Sequence, residues 1–146
     1  MKNLIRKILK EEFNREFYDN PRRVVKTHYD YNRLIGLLSQ IDDSEEIKNI
    51  IEGWILENEP YFAELIFCRK YEEYVYCEHA AEMVAQILED SGKEYKTQVG
   101  VIDKEAHAWV RYKDVIIDPT KDQFPNIEYK DYPEYTEYDT YYEKPN

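Results

Sequence analysis

The stretch AHAWVRYKDVIIDPT contains a histidine and an aspartate that a β-hairpin would bring together. Its residues alternate before a polar pair, Lys113 and Asp114, which we take as a two-residue hairpin loop. With that loop Trp109 faces Asp118, and His107 is the diagonal neighbour of Asp118 on the same face. A carboxylate that holds an imidazole fixes its tautomer and leaves its second nitrogen to exchange a proton. A register slip of one residue would place the two side chains on opposite faces.

Cys77 is the residue that such a histidine would activate. It opens the helical pattern CEHAAEMVAQILEDSG, which Gly92 ends as a C-cap would. The unpaired N–H groups and the dipole of a helix N-terminus favour thiolate over thiol, and the same groups can stabilise an oxyanion. Cys77, His107 and Asp118 therefore form a workable nucleophile, base and orienting carboxylate in chain order. Cys68 lies inside another predicted helix without matching partners, so we expect it to be structural.

The residues around this triad resemble a known superfamily. The pieces CEHAAEMVAQILEDSGKEY, VGV, HAWVRY and VIIDPTKDQF, within about residues 74–124, are similar to the transglutaminase-like branch of the papain-like cysteine enzymes. That superfamily includes transglutaminases, microbial cysteine peptidases, peptide N-glycanases and arylamine acetyltransferases. HAWV and IDPT also resemble the small peptidases that trim leader peptides from lasso-peptide precursors. The resemblance implies that Cys77, His107 and Asp118 are catalytic, and that the cysteine helix packs on the sheet face that carries the histidine and aspartate.

The residue before the cysteine departs from the family pattern. Tyr76 stands where many members have a glycine or other small residue and an acid, and no papain-like glutamine and glycine precede it. The second oxyanion donor stays open among Tyr74, Tyr76 and Gln98, which qualify by residue type alone. Trp109 and Tyr76 are candidates for substrate contact, although a tryptophan in a hairpin is more often part of the core.

Each of these residues also has a purely structural interpretation. A cysteine on an apolar helical stripe is usually packing, a strand histidine is usually hydrogen-bonded and half-buried, and an Asp-Pro-Thr turn can simply end a strand. A metal site is disfavoured, because His79 and Glu82 share a helix face that Cys77 does not, and zinc needs convergent ligands. We expect no metal and no cofactor.

The rest of the chain must position the triad. Apolar residues at helical spacing predict helices near Leu4, after Asp30, after DDSEE and near Phe62, with the first ending before Asn20 and Pro21. In the second half, loosely alternating β-branched stretches predict three short antiparallel strands. The expected fold class is α+β, with a helical N-terminal half packed on a small antiparallel sheet. The resemblance implies a papain-like or transglutaminase-like core.

The C-terminal stretch EYKDYPEYTEYDTYYEKPN has tyrosines at every third position: Tyr129, Tyr132, Tyr135, Tyr138 and Tyr141. This period fits one face of a polyproline-type extended segment. Either the rings lie on the domain, which the abundance of tyrosine favours, or the segment is a solvated acidic tail that is phosphorylated or binds a partner protein. We expect one domain over residues 1–128 and a tail over residues 129–146.

The charge balance restricts the partners. Twenty Lys and Arg against 31 Asp and Glu give a formal net charge of -11, which disfavours nucleic acid and anionic membranes. The N-terminal segment lacks signal-peptide character, and two cysteines are too few for a disulfide framework, so we expect a cytoplasmic protein. The expected function is thiol-dependent acyl transfer on a peptide or side-chain amide, as a cysteine peptidase, amidase, deamidase or transglutaminase. The alternative is an inactive member of the fold that acts as an acidic binding protein, inhibitor or effector.

Overall fold

A short helix that the sequence analysis did not assign opens the described part of the chain. The computed structural model describes residues 20–58, 76–102, 105–121, 124, 126–133 and 136–137. Helix α1 spans Pro21–Lys26, and the Asn20 side chain caps it by accepting a hydrogen bond from the Arg23 backbone N–H at 3.1 Å. Proline fits the first helical position, because the N–H it lacks has no partner there. The helices predicted near Leu4 and Phe62 lie outside the described residues.

Helices α2 and α3 follow as the sequence predicts. Helix α2 spans Tyr31–Leu38 and α3 spans Ser44–Asn58. Asp30 precedes α2, but its carboxylate does not cap that helix; it accepts a hydrogen bond from the Trp54 indole N–H at 3.1 Å. This bond ties α3 to the start of α2, so a residue predicted as a local cap acts as a tertiary contact.

Helix α4, which carries the candidate nucleophile, spans Tyr76–Asp90. It ends as predicted at Gly92, whose φ of 73° lies in the left-handed region that glycine adopts without strain. The guanidinium of Arg22 holds α1 against α4 by pairing with Glu82 at 2.5 Å and with Glu89 at 3.3 Å.

The described strands form one antiparallel sheet in the order β3-β2-β1-β4. Their bounds are β1 Lys96–Ile102, β2 Glu105–Tyr112, β3 Val115–Ile117 and β4 Thr136–Glu137. The first three strands and the α+β class confirm the prediction. Strand β4 belongs to the tyrosine-rich segment and was not predicted as a strand; it pairs with Gln98 and Val99 of β1.

The two faces of the sheet are covered by different parts of the chain. Helices α1 to α4 lie on one face, in a core that includes Cys77, Ala80, Ala81, Val84, Ile51 and Ile55 together with Ala108, Val110, Tyr112, Val115 and Ile117. A second cluster, on the other face, contains Trp109, Ile102, Ile116 and Phe124, with Ile127, Tyr129 and Tyr132 packed against it.

The expected position of the cysteine helix is therefore wrong. The helix lies on the apolar face that includes Ala108 and Val110, not on the face that carries His107 and Asp118. The physical reason is that the apolar stripe of α4 needs an apolar surface to cover. The opposite face presents imidazole, indole, guanidinium and carboxylate groups, which need hydrogen-bonding neighbours instead.

That polar face is covered by residues 129–133, which we call the tyrosine strap. It begins with a 3₁₀ turn at Tyr129–Asp131 and continues through Tyr132 and Pro133. Gly100 leaves room for it, since a Cβ at this position would lie 2.8 Å from Pro133 Cγ and 3.0 Å from Trp109 Cη2. Residues 138–146 lie outside the described part. Within the described part, no helix has the length and apolar character needed to cross a bilayer.

Replacing Gly100 by alanine should displace the strap and lower the free energy of unfolding by about 1–3 kcal/mol, because the added methyl meets packed atoms. Gly53→Ala is the matched control. Gly53 lies in α3 with nothing within 4 Å of the added methyl, so this change should stabilise the protein by about 0.5–1 kcal/mol. Denaturant unfolding of both variants measures the two values. Equal effects would show that the strap does not pack on Gly100.

Candidate active site

The β2–β3 hairpin sets the separation of His107 and Asp118. Its register pairs Tyr112 with Val115 and Val110 with Ile117, around a loop at residues 113–114, as the sequence predicts. The two side chains therefore share a face, and His107 Nε2 lies 2.6 Å from Asp118 Oδ2. Both groups are buried, with only 0% and 3% of their surfaces exposed. The predicted meeting of imidazole and carboxylate is confirmed.

The Asp118 carboxylate is surrounded by hydrogen-bond donors. Its Oδ1 accepts from the Thr120 backbone N–H at 3.0 Å and from the Thr120 hydroxyl at 2.8 Å. Its Oδ2 accepts from His107 and from the Tyr132 hydroxyl. Burial tends to raise the pKa of Asp118, but the charge and hydrogen bond of His107, together with the hydrogen bonds of Tyr132 and Thr120, lower it below its ordinary value. Asp118 is therefore ionised, and it ends its strand through a local turn while it holds the imidazole.

The ionised carboxylate decides the protonation of His107. A carboxylate can only accept hydrogen bonds, so Nε2 carries a proton and Nδ1 is the nitrogen left to react. Nδ1 is buried and has no hydrogen-bond partner among the described residues. Burial works to lower the pKa of His107, but Asp118 and, to a smaller extent, Cys77 raise it to about 10. Near neutral pH the ring is therefore an imidazolium. Its Nε2–H donates to Asp118, and its Nδ1–H is the proton left for transfer.

Cys77 is the second residue of α4 and is 6% exposed. Its side chain belongs to the core on the apolar face. Its thiol is also one of the groups that raise the pKa of His107. A hydrogen bond joins His107 and Asp118, whereas Cys77 is linked to the ring through its effect on the imidazole pKa.

A second layer of polar groups supports Asp118 from α3. Glu52 Oε2 accepts from the Asp118 backbone N–H and from the Tyr129 hydroxyl, each at 2.8 Å. Glu52 Oε1 pairs with Lys48 at 2.6 Å, and the Lys48 ammonium lies 4.0 Å from the centroid of the Tyr129 ring. Burial raises the pKa of Glu52, and its contacts with Lys48, Asp118 and Tyr129 oppose that shift. This network fixes the backbone of Asp118 independently of its side chain.

The other predicted site residues occupy different surroundings. Trp109 is 1% exposed; it stacks on His107 with ring centroids 6.1 Å apart and donates to Gln98 Oε1 at 2.8 Å. Trp109 is therefore a buried packing neighbour of the imidazole. Gln98 also accepts from Arg111 at 3.2 Å, while its buried Nε2 has no partner among the described residues. Tyr76 opens α4, but its side chain, like Tyr74, lies outside the described part.

Tyr132 and Glu52 are the site residues that the sequence analysis missed. A signal for Tyr132 was present in the spacing of three, which places Tyr129 and Tyr132 on one face of an extended segment. A signal for Glu52 was the Lys48–Glu52 pair at helical spacing beside the apolar stripe of α3. Neither signal identifies Asp118 as the partner.

Among the described residues no group of three or more His, Cys, Asp and Glu side chains is placed to hold a metal ion. A surface groove of about 990 Å³ is lined by residues around Lys93–Lys96 and Arg111–Lys113. It lies at the loop end of the hairpin, away from His107, and includes no triad residue.

Comparison of the chain with protein families, with curated proteins and with solved structures finds no match in any of the three.

Proposed function

We propose that this protein is a thiol-dependent acyl-transfer enzyme that acts on a peptide or side-chain amide. Cys77 attacks the carbonyl carbon, His107 moves the proton and Asp118 orients the imidazole. One observation carries the proposal: a buried histidine is held by an ionised carboxylate at 2.6 Å on one nitrogen, while a thiol at a helix start acts on the same ring.

The charges define the resting state. The raised pKa of His107 keeps the ring protonated at neutral pH, and in the proposed mechanism the nucleophile is the thiolate of an ion pair with this imidazolium. The thiolate adds to the carbonyl, and the imidazolium then gives its proton to the departing amine, which leaves an acyl-enzyme. A water molecule or an amine completes the turnover through the same histidine. Hydrolysis gives a peptidase, amidase or deamidase, and aminolysis gives a transamidase.

The proposal gives Cys77, His107 and Asp118 the three roles that a resemblance of residues 74–124 to the transglutaminase-like branch of the papain-like enzymes implies. We extend the proposal to a papain-like core and to a cytoplasmic location, where a working thiol stays reduced.

Alkylation of Cys77 tests the ion pair without any knowledge of the substrate. At about pH 6, iodoacetamide should modify Cys77 at least roughly tenfold faster in the wild-type protein than in a His107→Gln variant, because glutamine cannot supply the positive charge. The labelled residue and its rate are read by peptide mass spectrometry. Cys68 in the same chain is the internal reference for thiol reactivity. Equal alkylation rates for Cys77 in the two proteins would show that Cys77 and His107 form no ion pair, which would contradict the proposed mechanism.

A second candidate function has an observation in its favour. Cys77 and His107 are almost fully buried, with 6% and 0% of their surfaces exposed, and the tyrosine strap covers the histidine. An inactive member of the fold, used as an acidic binding protein, inhibitor or effector, would tolerate such burial. Slow alkylation of Cys77 in both the wild-type and the His107→Gln proteins favours this candidate over the enzyme.

A further inference from the structure

The Tyr132 hydroxyl and the His107 imidazole share one oxygen atom of Asp118. Nε2 of the histidine and the phenol O–H both donate to Oδ2, whereas the two donors from Thr120 occupy Oδ1. A carboxylate oxygen that already receives one strong hydrogen bond has less negative charge to offer to a second donor. The two bonds to Oδ2 therefore compete.

The Tyr132 ring is held so that its hydroxyl stays on this oxygen. It packs edge-on against Trp109 and His107, with ring centroids 5.0 Å and 6.0 Å apart and interplanar angles of 78° and 77°. The neighbouring Pro133 lies against Gly100, and Tyr129 at the start of the strap is bonded to Glu52. The strap is thus fixed at both ends, and Tyr132 remains a donor because burial and the charge of Asp118 keep the pKa of its phenol far above the usual value.

We propose that Tyr132 is a positioning residue of the triad, which limits how strongly Asp118 Oδ2 binds the His107 imidazole. The Tyr132 hydroxyl donates to Asp118, so it acts on the imidazole through that carboxylate. The role of Tyr132 in catalysis rests on the proposed function, whereas the competition between the two hydrogen bonds to Asp118 Oδ2 does not.

Among the described residues, the charged and titratable groups near His107 have the following contacts, and Arg111 on the same strand face bonds to Gln98. Cys77 faces it from α4, and Asp118 from the end of β3. Glu52 and Lys48 of α3 pair with each other and reach Asp118 through its backbone N–H, and Tyr129 bonds to Glu52. A change confined to the Tyr132 hydroxyl leaves all of these contacts in place.

Tyr132→Phe is the direct test, because it removes the hydroxyl and keeps the ring. Without the competing donor Oδ2 becomes a stronger acceptor, so the pKa of His107 should rise by about 0.5–1 unit. The measurement is the NMR titration of labelled imidazoles; the chain has three histidines, and a His107→Gln spectrum assigns the signal. Tyr129→Phe is the matched control: it removes a phenol O–H from the same strap, but one bonded to Glu52, and should leave the His107 titration unchanged.

The outcomes separate this inference from the enzyme proposal. A raised pKa in Tyr132→Phe alone supports the inference even in a protein without activity, in which case only the function fails. In an active protein the alkaline limb of the pH profile of kcat/KM should move to higher pH by the same amount. An unchanged or lowered His107 pKa, or an equal shift in Tyr129→Phe, overturns the inference. If Tyr132→Phe does not fold, the wild-type spectrum decides, since a Tyr132 hydroxyl proton bound to Oδ2 must appear far downfield and its absence refutes the bond.

Discussion

A Cys77→Ala variant is expected to lose acyl transfer by about 10³-fold or more, while its free energy of unfolding stays within about 1 kcal/mol of the wild-type value. The loss is large because no other described group can form the acyl-enzyme beside His107. The change in stability is small because alanine keeps the apolar contacts of the helix stripe and gives up a single buried sulfur atom.

The assay for this variant must reveal the substrate at the same time. A peptide library is incubated with the protein, with and without an added primary amine, and is analysed by mass spectrometry. Cleaved peptides, deamidated glutamines and amine conjugates distinguish the peptidase, the deamidase and the transamidase. A Cys68→Ala variant should process the library as the wild type does. If Cys77→Ala unfolds, or if it retains the activity, the thiol is a packing residue and the mechanism fails.

An Asp118→Asn variant should lose roughly 10²–10⁴-fold in kcat/KM and should change the pH dependence of the reaction. Removing the negative charge takes away the largest cause that raises the pKa of His107, so burial then lowers that pKa. The imidazole becomes neutral near pH 7, and the alkaline limb of activity moves to lower pH. The asparagine amide also offers an N–H to Nε2, which places the ring proton on the wrong nitrogen.

Asp114→Asn is the matched control for that experiment. Asp114 is exposed in the loop of the same hairpin and bonds to Ser44, so the variant has the same change in charge without touching the imidazole. Its pH profile should coincide with that of the wild type. A profile of Asp118→Asn with an unshifted alkaline limb would show that another group controls the limb.

The same pair makes the stability of the protein depend on pH. The folded pKa of His107 is raised to about 10, so the folded state keeps a proton that the unfolded state releases above its ordinary value of 6.5. The stabilisation is complete below that value, and the free energy of unfolding falls by about 1.4 kcal/mol per pH unit as the pH rises towards 10. Urea titrations in a Cys77→Ala background isolate this slope from thiol ionisation, and Asp118→Asn should flatten it.

The hairpin could be predicted from the sequence because its determinants are local. A polar pair between alternating stretches fixes the loop and the register, and the register alone places His107 and Asp118 on one face. The helix boundaries of α3 and α4 follow from acidic first-turn residues and from a terminal glycine in the same way. Each of these signals lies within a few residues of the structure it determines.

The parts that the sequence did not reveal depend on contacts between distant positions. Tyr132 is 14 residues from Asp118, and Glu52 is 66 residues away, and no spacing rule connects either of them to a carboxylate. The resemblance implies the wrong side of the sheet for α4. The alternation itself contained the better indication, since a uniformly apolar face is the one that an amphipathic helix needs.

The division of β2 between its two faces has a consequence for how this protein tolerates change. Even-numbered residues from Ala108 to Tyr112 point into the core beneath the helices, and odd-numbered residues from His107 to Arg111 lie on the face of the second cluster, where Asp118 and Gln98 bind His107 and Arg111. In a library with every substitution along this strand, the variants at even and odd positions should therefore differ in their effects. Substitutions at the even positions, and at the buried Trp109, would reduce the yield of folded protein, whereas those at His107 would reduce turnover in the protein that folds. Selection can then act on durability and on chemistry through different positions of the same six residues.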